Sequence, residues 1–293
     1  MAQRCRGTTR AGKPCGITKD SELTNDAGRL AAEPLRRGGA YCLFHATPFC
    51  TQPADEDDRN TVVVLLDLET TGVDTTQDRI VEIAAIHCPA DPRFFGGAFS
   101  TVVRVDPTLL AERGSAAAAV HGISEEEIAT GPDFPEAWCR FLVWADEVLN
   151  TALAEGCESD DDEPAWPELF PDPVLLLAGH NALRFDFPML LAECLRHRMS
   201  CQCFDRWLFA ETMHVCQAVA EHGCMKLQCL VRKFGCSADL RAHRALDDCV
   251  ALRHVGCALA EAVGEDLPAL LRRVAVELDL HSSFAQLSVL MEL

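Results

Sequence analysis

The sequence predicts a mixed α/β fold in which helices flank a sheet. Two features carry that expectation: apolar strand patterns come first and close together, and strand and helix patterns then alternate along the main domain. Residues 61–66, Thr-Val-Val-Val-Leu-Leu, form a nearly continuous β-branched and aliphatic run, the pattern of a strand buried on both faces. Runs at 79–88 and 95–105 read as the next two strands, joined by turns containing Pro or Gly, so three hairpin-connected strands are expected. Trp138, Phe141, Leu142, Ala145 and Leu149 recur at helical spacing and predict a helix over 134–154. An acidic, proline-rich loop at 157–173 breaks that pattern. The apolar run 174–178 predicts a further strand, and helices are expected over 187–198, 206–221, 225–234 and 245–263. No internal repeat is apparent.

The 293 residues, 48% of them hydrophobic, suffice for one large core and a small appendage. The appendage is 1–50, which lacks sustained apolar periodicity and needs a staple to hold a fold. A polar linker follows at 51–60, then a main domain at 61–265 and a C-terminal helix and tail at 266–293. The chain has no apolar run of about 18 residues or more and no apolar leader at its start, which argues against a membrane partner. The expected location is intracellular, cytoplasmic or nuclear, and most of the 16 cysteines are expected to be reduced, buried small hydrophobes. A net charge of −19 opposes broad attraction to phosphate backbones. The imbalance is local, however: residues 1–50 hold eight Lys/Arg against four Asp/Glu, and the remainder 18 against 41.

Three segments concentrate chemistry. The first strand runs Val62-Val63-Val64-Leu65-Leu66-Asp67-Leu68-Glu69-Thr70-Thr71-Gly72, and period-two geometry puts Asp67 and Glu69 on one face. Neighbouring carboxylates repel, and a hard divalent cation resolves that repulsion; a solvated strand end is the alternative reading. The second segment is a buried strand that runs through Gly179-His180-Asn181 to Asp186 at the start of a helix. Taken alone, Asp186 is a helix-start acid favoured by the macrodipole, and His180 reads as a packed histidine. The third, His243-Arg244-Ala245-Leu246-Asp247-Asp248, places a histidine before a long amphipathic helix with two acids in its first turn, where capping also explains acids.

In order and spacing these segments resemble the DEDDh exonucleases, the DnaQ-like branch of the ribonuclease-H-like fold, over 61–263. The resemblance implies a mixed five-stranded sheet flanked by helices and 3′-to-5′ exonuclease activity on a nucleic acid with a free, single-stranded 3′ end. It also implies Asp67, Glu69, Asp186 and Asp248 as ligands of two Mg²⁺ or Mn²⁺ ions, with His243 as general base and Asp247 a neighbour. It extends to Val120-His121-Gly122-Ile123, which makes Val120, His121 and Ile123 candidate substrate contacts. A glycine turn before a helix starting at Ser124 explains that segment as well. Leu68 and Thr71 are further candidate contacts at the small turn after Glu69, where a nucleotide sugar could approach. Asn181 could hydrogen-bond a phosphate or fix the Asp186 loop. The chemistry suits these residue types: two cations about 3.5–4 Å apart can activate a water and stabilise a leaving 3′-oxygen. An imidazole with a pKa of about 6.5 takes the water's proton near neutral pH.

Two other readings stay open: a binding or scaffold protein with a decayed site, and a phosphodiesterase of short oligonucleotides, which an acidic surface permits better than duplex binding. DNA and RNA are not distinguished, and no protein partner is indicated. In the N-terminal head, Cys5, Cys15, Cys42 and His45 offer three thiolates and an imidazole, a set that fits one tetrahedral structural Zn²⁺. It resembles small CCCH modules, with a longer central spacer. Arg4, Arg6, Arg10 and Lys13 beside the first ligand suit nucleic-acid or protein binding. A second group, Cys201, Cys203, Cys216, Cys224, Cys229 and Cys236 with His214 and His222, is irregularly spaced and reads as buried thiols.

Overall fold

The computed structural model describes residues 51–53, 61–89, 91, 96–156, 173–219, 223–235 and 243–278. The head with Cys5, Cys15, Cys42 and His45 lies outside these, as do 157–172 of the acidic loop and 279–293 of the tail.

The chain builds β1 (Thr51–Pro53), β2 (Thr61–Thr70), β3 (Ile80–Cys88) and β4 (Ala98–Val102), then helices α1 (Pro107–Arg113), α2 (Ser115–His121), α3 (Glu125–Thr130) and α4 (Phe134–Gly156). Next come β5 (Val174–Gly179), α5 (Asp186–Arg196), a 3₁₀ turn (Gln202–Asp205), β6 (Leu208–Glu211), α6 (Thr212–Val219) and α7 (Leu227–Lys233). The described part closes with α8 (Ala245–Val263), α9 (Leu267–Arg272) and β7 (Val276–Leu278). The sheet runs β1-β7-β6-β5-β2-β3-β4. β2, β5 and β6 are mutually parallel, and the other pairs are antiparallel.

β2 is central because its sequence can be buried on both sides. Val62–Leu66 are no more than 4% exposed, and successive side chains of a strand point to opposite faces, so the sheet is covered on both. α4 and α8 both pack on β2 and β3. Each fully buried aliphatic side chain there contributes about 1.5–3 kcal/mol, which makes β2 the most firmly held element near the acids. A second, small cluster of Val81, Val105, Leu110, Ile123 and Ile128 lies beneath α1 and α3.

The structure corrects several expectations. The sheet has seven strands rather than five, because the short segments β1 and β7 extend it beyond β6. β1 falls within the expected linker 51–60, and β7 within the expected helix and tail 266–293; each is stabilised by pairing with the other, which neither sequence advertises alone. The helix expected over 206–221 is instead β6 followed by α6: Leu208–Glu211 are all buried and pair in parallel with β5. The three-stranded start, the helix at 134–156 and α8 agree with expectation. No helix among the described residues is long and apolar enough to cross a membrane.

Candidate active site

The acids gather where the connectivity of the sheet reverses. From β2 the chain steps outward through β3 and β4, then returns to the other side of β2 as β5. Ligands of open α/β sheets bind in the crevice at the carboxyl ends of parallel strands beside such a reversal. β2 ends there in Asp67 and Glu69, and β5 ends in Gly179. A Cβ at Gly179 would come within 2.9 Å of the Leu66 carbonyl oxygen, so only glycine lets β5 close on β2 at this point.

Asp248, in the first turn of α8, brings the third carboxylate, and one oxygen from each of Asp67, Glu69 and Asp248 lies within 4.8 Å of the others. Asp186, the first residue of α5 and 3% exposed, is not among the three that approach this closely, although its charge acts on Asp67. Burial, then the charges of Asp186, Asp248 and Glu69, pushes the Asp67 carboxyl well above the usual range. Glu69 is raised to about 8 by burial and then by Asp248 and Glu82. Asp186 also rises to about 8, through burial first and the nearby Glu211 second. Asp248 is raised by burial, against the opposing effect of the His243 backbone N–H. Acids that resist ionising because they are buried and, second, because they lie near one another's charges, with only oxygens to offer, fit a hard divalent cation.

His243 stands at the rim with its side chain exposed and a φ of 66°, unusual for a residue with a Cβ. Its N–H donates to Asp248 Oδ2 at 2.9 Å, and Gln228 Nε2 donates to the other oxygen at 3.1 Å. Two further buried acids, overlooked in the sequence, frame the site. Glu82 on β3 stands directly opposite Glu69. Glu211, at the end of β6, accepts the N–H groups of Asn181 at 2.7 Å, Leu183 at 3.2 Å and Met213 at 2.9 Å, and burial raises it to about 7. It therefore pins the loop that carries Asp186. A charge inside the apolar run Ile80-Val81-Glu82-Ile83 is a legible signal for Glu82; the sequence of β6 carries a helical pattern, which hides Glu211.

A cavity of about 570 Å³ opens beside Glu69, walled by Leu68, Thr71, Val73, Val120, His121 and Phe185, with the Arg113–Asp78 ion pair also on its lining. Four of the six candidate contacts thus reach it. Thr71 also serves the turn, since its hydroxyl donates to Asp78 Oδ1 and accepts from the Arg79 N–H. His121 Nδ1 accepts the Ile123 N–H at 3.0 Å. Ile123 is not on the wall and belongs to the second cluster. Asn181 is not on the wall either; it takes a φ of 66° in the turn before Asp186. His180 is packed as expected, its ring nitrogens bonded to the Thr212 hydroxyl and the Met225 carbonyl.

Cys201 and Cys216 are buried thiols. Cys224 and Cys229, expected to be buried and reduced, are instead joined by a disulfide; their Cα atoms stand 5.8 Å apart, within bridging reach. Cys236 and His222 lie outside the described residues, as does the side chain of His214.

Residues 64–153 match the family model described as Exonuclease. A "DNA polymerase III subunit epsilon-like protein" of Rhodobacter capsulatus is 40% identical over 119 residues, 40% of this chain and 15% of that protein. Among solved structures, a 3′-exonuclease described in specific recognition of the histone mRNA stem-loop overlays with a TM-score of 0.49 at 15% identity, over 68% of this chain and 81% of its own. Exonuclease X in complex with 5′-overhanging duplex DNA gives 0.45 at 18% identity, over 72% and 99%. The family match contains Asp67, Glu69 and the Val120–Ile123 turn. Asp186, His243 and Asp248 lie beyond it.

Proposed function

We propose that the chain is a metal-dependent 3′-to-5′ exonuclease that removes nucleotides from a free, single-stranded 3′ end. The observation that carries this reading is the convergence of Asp67 and Glu69 on β2 with Asp248, 179 positions further along the chain than Glu69, beside a cavity of nucleotide scale. The exonuclease match over 64–153 supports it.

Asp67, Glu69, Asp186 and Asp248 would hold two Mg²⁺ or Mn²⁺ ions, which when bound supply Lewis acidity to the scissile phosphate and lower the pKa of the attacking water. His243, at the exposed rim next to Asp248, takes the proton released from that water. Leu68, Val120 and His121 form the wall against which the terminal nucleotide packs, and Thr71 supports the turn beside its sugar. Ile123 acts from beneath, by holding His121, and Asn181 by shaping the turn before Asp186. The net charge of −19 favours short or single-stranded substrates over long duplex. In the head we propose one structural Zn²⁺ on Cys5, Cys15, Cys42 and His45; zinc counted per chain in the wild type and Cys15→Ser tests it, and a metal-free wild type would remove it.

The function is tested with 5′-labelled single-stranded DNA, RNA and duplex in Mg²⁺ or Mn²⁺, with EDTA and Asp67→Ala controls. A ladder shortening from the 3′ end, abolished by EDTA and by the substitution, is the expected result. Equal degradation by the Asp67→Ala protein would sink the assigned site.

A further inference from the structure

Glu82 is buried at 2% exposure beside the carboxylate cluster, yet it is not one of the converging ligands. Its oxygens are engaged elsewhere: Arg244 Nη2 donates to Oε1 at 2.9 Å, Arg244 Nε to Oε2 at 3.2 Å, and the Ala245 N–H to Oε2 at 3.0 Å. This two-point fork fixes a guanidinium in orientation as well as position. The third guanidinium nitrogen, Nη1, lies 3.7 Å from Glu127 Oε1 on α3, whose other oxygen accepts the Ser124 N–H at the start of that helix.

The residue before this clamp is His243, whose left-handed backbone is unfavourable for a residue with a Cβ and persists only where its surroundings impose it. Its N–H is tied to Asp248 on one side, and on the other the next two residues are tied to Glu82. An exposed imidazole on an unsupported loop would sample several directions. Held between these two anchors, the backbone at His243 has one course, and with it the direction in which the side chain leaves the chain.

We propose that Arg244, forked onto Glu82, is a positioning residue that sets the direction of the His243 imidazole and so the rate of the chemical step. This rests on the nuclease reading of the same site. Arg244 is neither on the wall of the cavity nor among the converging acids, and acts through its neighbour.

The test is a double-mutant cycle on the single-stranded oligonucleotide that the wild type digests, with thermal unfolding followed on every variant. Arg244→Gln lowers kcat by about 10–100-fold, as loss of a group that orients a working residue does. KM changes by less than about threefold, because ground-state binding is not touched. Arg244→Lys restores part of the loss, since a point charge pairs with Glu82 without reproducing the fork. In a His243→Ala background, Arg244→Gln has no further effect on kcat. The same fold-loss in both backgrounds, or wild-type kcat in Arg244→Gln, overturns the proposal. If Arg244→Gln is unfolded at the assay temperature, Glu82→Gln takes its place in the cycle with the same expected outcomes. A wild type inactive on every substrate is a different failure: it removes the nuclease reading, and this proposal with it.

Discussion

The two halves of the acid cluster are held in opposite ways. Asp67 and Glu69 ride on β2, whose ladder pairs with β3 on one side and β5 on the other and whose apolar residues are buried. His243 and Asp248 come from the start of α8, where one residue is exposed with a left-handed backbone and the segment is fixed by a few hydrogen bonds to Asp248 and Glu82. Under the proposed roles, the difference teaches that two of the ion-holding carboxylates are set by the stiffest strand and a third, Asp248, by the first turn of a helix packed on that strand. A group that moves a proton can stand on a loop, provided something aims it.

Breaking the strand side has the largest expected effect. Asp67 is the carboxylate on which every other acid of the cluster acts, and its loss removes a ligand at the centre. Since bound metal stabilises a phosphoryl transition state by several kcal/mol, Asp67→Ala lowers kcat by about a thousandfold or more, and a labelled-oligonucleotide assay reads it directly. On the helix side, His243→Ala removes a base and lowers kcat by about 10²–10⁴-fold. It leaves metal binding by titration calorimetry close to wild type; lost metal binding would make His243 part of the ion site instead. Asp248 and Asp247 separate the register: Asp248→Asn impairs both metal binding and activity, whereas Asp247→Asn impairs neither to a comparable degree.

How far this comparison could be read in the sequence depends on the element. The strand side was legible, because an apolar run ending in Asp-x-Glu has one geometric outcome. The helix side needed motif order to be recognised at all, since acids at a helix start are commonplace. β6 was not legible: Leu-Phe-Ala-Glu is too short to reveal a period, and a short apolar run beside a helix reads as helix. β1 and β7 were hidden for a related reason, since each is three residues long and owes its conformation to a partner far away in the chain. Arg244 and Glu82 were missed as a pair because contacts between residues 162 positions apart leave no local trace.

Acidity sharpens the contrast between the bare site and the metal-loaded one. Without divalent ions, Glu69 and Asp186 keep their protons to about pH 8 in the folded protein, whereas Glu69 releases its proton near 4.5 when exposed. Between these values the folded state binds more protons than the unfolded state, so stability falls as pH rises through the window. Glu211, raised to about 7, adds to the same slope. In EDTA the unfolding temperature declines from about pH 5 to pH 8. Saturating Mg²⁺, which binds the ionised acids, flattens or reverses the decline. Asp67→Asn reduces the slope in EDTA, and a slope unchanged by both Mg²⁺ and this substitution would mean that the acids are not held protonated by burial and by one another as described.

The smallest expected effect asks whether α3 bears on the helix side. Ser124 and Glu127 form a reciprocal cap: the Ser124 hydroxyl accepts the Glu127 N–H at 3.1 Å, and the Glu127 carboxylate accepts the Ser124 N–H at 3.3 Å. Ser124→Ala removes half of this and costs about 1 kcal/mol, read as a fall of a few degrees in unfolding temperature. Its influence on catalysis has to pass through Glu127 to Arg244, a pair 3.7 Å apart whose acid is 46% exposed. An exposed pair of that kind contributes about 0–1 kcal/mol, so kcat moves by no more than about fivefold while Arg244 stays forked on Glu82. A loss of kcat in Ser124→Ala as large as in Arg244→Gln would shift the anchor of the His243 segment from β3 to α3. The helices over the cavity, rather than β3, would then aim the base.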